Sequence, residues 1–226
     1  MKFIWALAFM LLGFTVAFAQ NEQSPLQEKE IKYKDWTYKS VRDDKNINLR
    51  DFTNGKKLVM VVYFAPWCPN WRHEAPFAEQ LYEKYKDKGF DVVGVGEYDT
   101  VAAMKTDLDT KKIMFPVVYE SESKDAKQKT PHFEYRKEAG DTRNWGSPWN
   151  IFLEPANLKK DGDVLVKKAF IVNGELIELE VDKFVREKLG LPAEDKKTDN
   201  STAKKDAIET CEPDKKADAF KKPEPK

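Results

Sequence analysis

One short stretch gathers most of the reactive side chains of this chain: Trp67-Cys68-Pro69-Asn70-Trp71-Arg72-His73-Glu74-Ala75-Pro76. Cys68 has the broadest chemistry among them, because a thiolate attacks disulfides, sulfenic acids and peroxides. Its neighbours favour the thiolate form. The apolar run Leu58–Phe64 reads as a strand buried on both faces. Pro69 suits a first helical position, since its φ is already helical and its missing N–H is no loss there. Cys68 then falls at the N-cap, facing backbone N–H groups and the positive end of the helix dipole. The competing reading is a small apolar filler, the usual fate of a lone buried cysteine.

The remaining candidates are sparser. The chain has two histidines, His73 and His132, and neither sits in a paired metal-ligand spacing, so His73 reads as a surface residue and no metal or other cofactor is expected. The only other cysteine is Cys211, in a charged C-terminal tail. The segment between residues 191 and 211 can stretch on the order of 60 Å. A flexible tether of that kind gives effective concentrations around the millimolar range or below.

The elements that must position Cys68 follow from local signals. Trp36 to Val41 alternates like a strand, and Ile47 to Phe52 leads into a turn at Asn54-Gly55. Ala75, Ala78, Leu81, Tyr82 and Tyr85 recur at helical spacing, with Pro76 expected to kink that helix. Phe90–Gly96 reads as a second buried strand, Val101 to Lys112 as a helix capped by Thr100, and Phe115 to Tyr119 as a short strand. Residues 120–144 are charged and poor in periodicity, a loop or insertion with room for one short helix. Val164–Val172 reads as the last long strand, and Ile177 to Leu189 as a helix closed by Gly190. A hairpin around Asn173-Gly174 competes with the start of that helix.

The motif resembles the active-site segment of the thioredoxin-like TlpA/ResA family of extracytoplasmic thiol–disulfide oxidoreductases, W-C-x-x-C-R-x-E-x-P after an apolar strand. Phe64, Ala65, Trp67, Cys68, Arg72, Glu74 and Pro76 match it, while Trp71 stands where the family has its second, resolving cysteine. Leu49, Asp51, Gly55 and Lys56 resemble the end of the family's N-terminal hairpin, and Gly146-Ser147-Pro148 its cis-proline segment. The resemblance implies an α/β thioredoxin fold over residues 33–191, with a central mixed sheet, helices on both faces and an N-terminal β-hairpin extension. It implies catalytic roles for Cys68, Glu74 (handling protons) and Pro148 (shaping the groove), and a substrate groove at Trp67, Pro69, Trp71, Ser147 and Trp149. Without a thiol at Trp71, a mixed disulfide on Cys68 must be resolved by another molecule or by Cys211. Trp71 itself reads as packing beside Trp67.

Composition bounds the rest. The chain has 226 residues, 35% of them charged, with Lys+Arg and Asp+Glu both at 39, so no net field recruits nucleic acid or an anionic membrane. Residues 1–19 read as a signal peptide: Lys2, an apolar run from Phe3 to Phe14, and Ala17-Phe18-Ala19 before Gln20. The run is shorter than the roughly 20 residues a spanning helix prefers; an uncleaved anchor is the alternative. The expected product is an exported, periplasmic protein with no membrane span after cleavage. Residues 20–32 read as a flexible lead-in and 192–226 as a disordered tail. Three functions fit: exchange with protein thiols and disulfides or a small thiol, through Cys68; a redox-silent binding or chaperone module gripping a partner through Trp67, Trp71 and Trp149; and a thiol peroxidase. Ala65 weakens the last, since a peroxide site needs Thr or Ser there.

Overall fold

The protein is described from a computed structural model over residues 22–192. The expected signal peptide, Cys211 and the tail beyond residue 192 lie outside the described residues. In chain order the elements are β1 (Gln23–Ser24), β2 (Gln27–Lys34), β3 (Thr37–Ser40), β4 (Asn46–Asn48), α1 (Leu49–Thr53), β5 (Leu58–Phe64), α2 (Pro69–Tyr85), β6 (Phe90–Gly96) and α3 (Val101–Lys111). There follow β7 (Val117–Tyr119), α4 (Pro131–Glu138), β8 (Trp149–Leu153), β9 (Val164–Val172), β10 (Glu175–Leu176) and α5 (Glu178–Leu189).

Eight strands form one mixed sheet in the order β2-β9-β8-β5-β6-β7-β3-β4. At its centre β5 runs parallel to β6 and antiparallel to β8, with Val62 opposite both Gly94 and Asn150. β5 is buried along its whole length because its period-two alternation feeds two cores. Met60, Val62 and Phe64 pack with Ala75, Ala78 and Leu81 of α2, Met104 of α3 and Val185 of α5. Val59, Val61 and Tyr63 pack on the other face with Tyr135 of α4, Leu49 of α1 and Trp149. This is the three-layer α/β plan expected, and β3 and β4 form the expected hairpin at one edge.

Three stretches differ from expectation. Residues 22–32 are not a loose lead-in: β2 pairs antiparallel with β9 and buries Ile31 and Tyr33. Its outward face is so rich in Lys and Glu that the alternation escapes notice. Asn48 accepts a hydrogen bond from Asp51 N and starts the short helix α1, which replaces strand before the turn at Gly55. Glu175 and Leu176 do not return as a hairpin on β9 but pair in parallel with Gln23 and Ser24. α2 continues through Pro76 without a break.

Candidate active site

The parallel strands β5 and β6 end side by side, and the chain leaving β5 builds the site. The amide of Cys68 donates to Ala65 O at 3.0 Å, closing a tight turn, and Cys68 is the N-cap of α2 with φ −75° and ψ 123°. Pro69 occupies the first helical turn as expected. The Cys68 side chain makes no capping hydrogen bond to the first-turn amides. From across the sheet, the loop before β8 brings a cis Ser147–Pro148 peptide to the sulfur: Cys68 Sγ lies 3.0 Å from Ser147 O. A thiol donates along that line, whereas a disulfide sulfur only touches the carbonyl. Ser147 Oγ in turn accepts from Ala65 N at 2.8 Å, so both ends of the loop contact are stitched to the cysteine turn. Cys68 is buried and disulfide-bonded.

The tryptophans separate into different environments. Trp67 is partly exposed, donates Nε1 to Tyr98 O at 3.3 Å, and meets Trp145 edge-on with centroids 5.0 Å apart. The ammonium of Lys124 lies 5.3 Å from the Trp67 ring and that of Lys127 4.4 Å from the Trp145 ring. Beside Trp67 a shallow cleft of about 490 Å³ runs along Pro66, Ala102, Ala103 and Thr106. Trp71 is a packing residue of the core cluster against which Trp67 also packs, and it does not line the groove. It is fully buried, stacks on Phe64 at 4.3 Å and donates Nε1 to Asp107 at 2.9 Å. Three residues along a helix is almost a full turn from Cys68, and that direction here points into the core under α3. Trp149 is likewise buried, with Nε1 on Asn173 at 2.8 Å, and the Ser147 side chain faces inward. Of the groove residues expected, Trp67 and Pro69 alone retain exposed side-chain surface.

Glu74 is buried on the inner side of α2. Its Oε2 accepts from Leu176 N at 2.8 Å and from Asn150 Nδ2 at 3.2 Å, while Oε1 has no hydrogen-bond partner. Burial pushes its pKa up to about 8, against the opposing pull of those two donors. Glu175 lies alongside; burial, reinforced by the nearby Glu22 carboxylate, raises it to about 7. His73 is exposed as expected, its Nδ1 3.9 Å from Glu175 Oε1.

His132 is fully buried, stacks on Tyr63 with ring centroids 4.6 Å apart, and shares a 3.0 Å hydrogen bond between Nδ1 and Tyr98 OH. Burial holds its pKa well below the usual histidine range. Behind it lies Glu97, bonded by Ser121 Oγ; burial, then the adjacent Glu120, raises its pKa well above the usual carboxylate range. The charged 120–144 stretch supplies this packing: Thr130 caps α4 through Phe133 N, and His132, Tyr135 and Arg136 are its buried face. The Thr130-Pro131 cap was a legible signal for this helix. The pairing of Arg136, Asp141 and Arg143 left none, because solvated and buried charges look alike in a sequence.

Comparison with known proteins agrees with this arrangement. A model of the AhpC/TSA family matches residues 30–138. The chain is 32% identical over 75 residues to the thiol-disulfide oxidoreductase ResA of Bacillus thuringiensis subsp. konkukian, a match covering 33% of this chain and 42% of that protein. The chain thus spans under half the length of the ResA relatives it matches. It is 37% identical over 68 residues to Thioredoxin H3 of Arabidopsis thaliana, covering 30% of this chain and 50% of that one. A thiol:disulfide interchange protein of the thioredoxin family from Chlorobium tepidum TLS superposes with a TM-score of 0.52 at 22% identity, over 72% of this chain and 98% of the other. The fold is a thioredoxin fold, and the matches bear out the resemblance to thioredoxin-like proteins of the TlpA/ResA kind.

Proposed function

We propose that the protein is an exported thiol–disulfide oxidoreductase with Cys68 as nucleophile and Cys211 as the thiol that resolves its mixed disulfide. The observation that carries the reading is the seat of the sulfur, at the N-cap of α2 and 3.0 Å from the carbonyl preceding Pro148. The positive end of the helix dipole there favours negative charge on sulfur. The Cys68 thiolate attacks a substrate disulfide, one substrate sulfur leaves as thiolate, and a mixed disulfide remains. The thiolate of Cys211 then attacks Cys68 Sγ, the second substrate sulfur leaves, and the protein holds a disulfide in place of two thiols. A dithiol donor returns it to the reduced state. What supports Cys211 in this role is reach, since the segment from residue 191 to 211 can stretch on the order of 60 Å.

Glu74 handles the proton. With a pKa of about 8 its carboxyl is protonated at neutral pH, so it serves a leaving thiolate and recovers a proton from the next thiol. Export rests on the pattern of residues 1–19; among the described residues no helix is long and apolar enough to cross a membrane. Protein thiols and disulfides, or a small thiol, are the partners this chemistry takes. The binding-module reading loses two of its three contact residues, since Trp71 and Trp149 are fully buried.

The test is trapping. Purified full-length protein is reduced, offered a disulfide-containing peptide, quenched with acid and digested without reductant for mass spectrometry. Wild type is expected to pass through a peptide adduct on Cys68 to a Cys68–Cys211 crosslink. Cys211→Ser is expected to stop at the adduct, and the double variant Cys68→Ser with Cys211→Ser serves as the thiol-free blank. A Cys211→Ser protein that forms no adduct on Cys68 overturns the reading.

A further inference from the structure

We infer that Arg143 is a positioning residue for this site: one guanidinium ties the Pro148 loop to the first turn of α2. The inference rests on the thiol-exchange reading for its purpose, though not for its geometry. Nη2 donates to Pro148 O at 2.8 Å. Nη1 donates to Glu22 Oε2 at 3.2 Å, and that same oxygen accepts from the side chain of Asn70, in the first turn of α2. Asp141 holds the guanidinium in orientation, with Nε at 3.1 Å from Oδ1 and Nη2 at 2.8 Å from Oδ2.

The support behind it is buried. Arg136, 2% exposed, donates Nη1 to Arg143 O at 3.1 Å and pairs with Asp141 at 3.3 Å. Gly146 runs directly over the Arg136 guanidinium, where a Cβ would overlap it, and its φ of +59° is one that glycine adopts freely. A planar fork with donors on three nitrogens serves the carbonyl, Glu22 and Asp141 at once, which an ammonium does not. The groups facing Glu74 are Glu175 from β10, Asn150 from β8, the amide of Leu176, and Arg143. Glu22 and the outward His73 complete the charges near Glu175. Arg143 adds a weaker pull toward the ionised form of both buried carboxyls, behind burial and their closer neighbours.

The experiment uses full-length Arg143→Gln and Arg143→Lys with two readouts. Carboxyl titration of 13C-glutamate-labelled protein follows Glu74 whether or not the protein exchanges disulfides. Rates of peptide-disulfide reduction report the loop. Arg143→Gln is expected to raise the Glu74 midpoint and to slow exchange roughly tenfold. Arg143→Lys keeps the charge, so its titration stays near wild type while exchange still slows. An unmoved Glu74 midpoint in the Gln variant, or a Lys variant as fast as wild type, overturns the inference. If Gln at this position prevents folding, the Lys variant alone decides it. Absence of exchange in wild type counts against the proposed function and leaves the titration to judge Arg143.

Discussion

The sulfur of Cys68 and the carbonyl oxygen of Ser147 face each other across 3.0 Å, joining the N-terminus of α2 to the loop that enters β8. These residues are 79 positions apart in the chain. What brings them together is the antiparallel pairing of β5 with β8, in which Tyr63 lies opposite Trp149. Each strand delivers its chemical residue a few positions beyond that last pair.

Glu74 makes stability depend on pH. Its folded pKa of about 8 lies above the ordinary 4.5, so the folded state keeps a proton that the unfolded chain has lost. Stability from this group is full below pH 4.5 and declines as pH rises toward 8, by at most ~1.4 kcal/mol per pH unit. Glu175, raised to about 7, acts with the same sign over the lower part of that window. Thermal unfolding at pH 5.5 and 8 is expected to show a lower midpoint at the higher pH. In Glu74→Gln that difference should shrink, and an unchanged difference contradicts the assignment.

Trp71 is a core residue in the place of a thiol. Trp71→Ala is expected to cost ~3–5 kcal/mol in urea unfolding, through loss of the Phe64 stack and the Asp107 hydrogen bond. Trp71→Phe should lose less and keep disulfide exchange. A weakened KM for peptide with undiminished stability would instead place this side chain in the groove.

Gly146 is expected to tolerate no side chain. Its positive φ and the Arg136 guanidinium beneath it both oppose Gly146→Ala, which should destabilise by about 2 kcal/mol. The same substitution displaces the loop that carries Ser147, so exchange should fall more steeply than stability. Equal activity per folded molecule would contradict the positioning argument.

Local chemistry made part of this architecture readable beforehand. The apolar run of β5 and the Cys68-Pro69 step each carry their signal within a few residues, and the observed strand and N-cap coincide with expectation. β2 was hidden because Ile31 and Tyr33 are its only fully buried residues among lysines and glutamates. Helical spacing places Trp71 one turn beyond Cys68 but does not say that this direction meets Phe64 rather than Trp67. Glu22 and Arg143, separated by 121 positions, are joined by tertiary structure alone. The stacking of His132 on Tyr63 likewise joins residues that only the tertiary structure brings together.

The central claim is that Cys68 is a nucleophile, and its alkylation rate as a function of pH tests this most directly. Reduced Cys211→Ser protein, in which every reaction belongs to Cys68, is treated with iodoacetamide between pH 4 and 10. The expected midpoint lies clearly below the ~8.5 of an unperturbed cysteine. A midpoint at or above that value, or a thiol that reacts only on unfolding, contradicts the account.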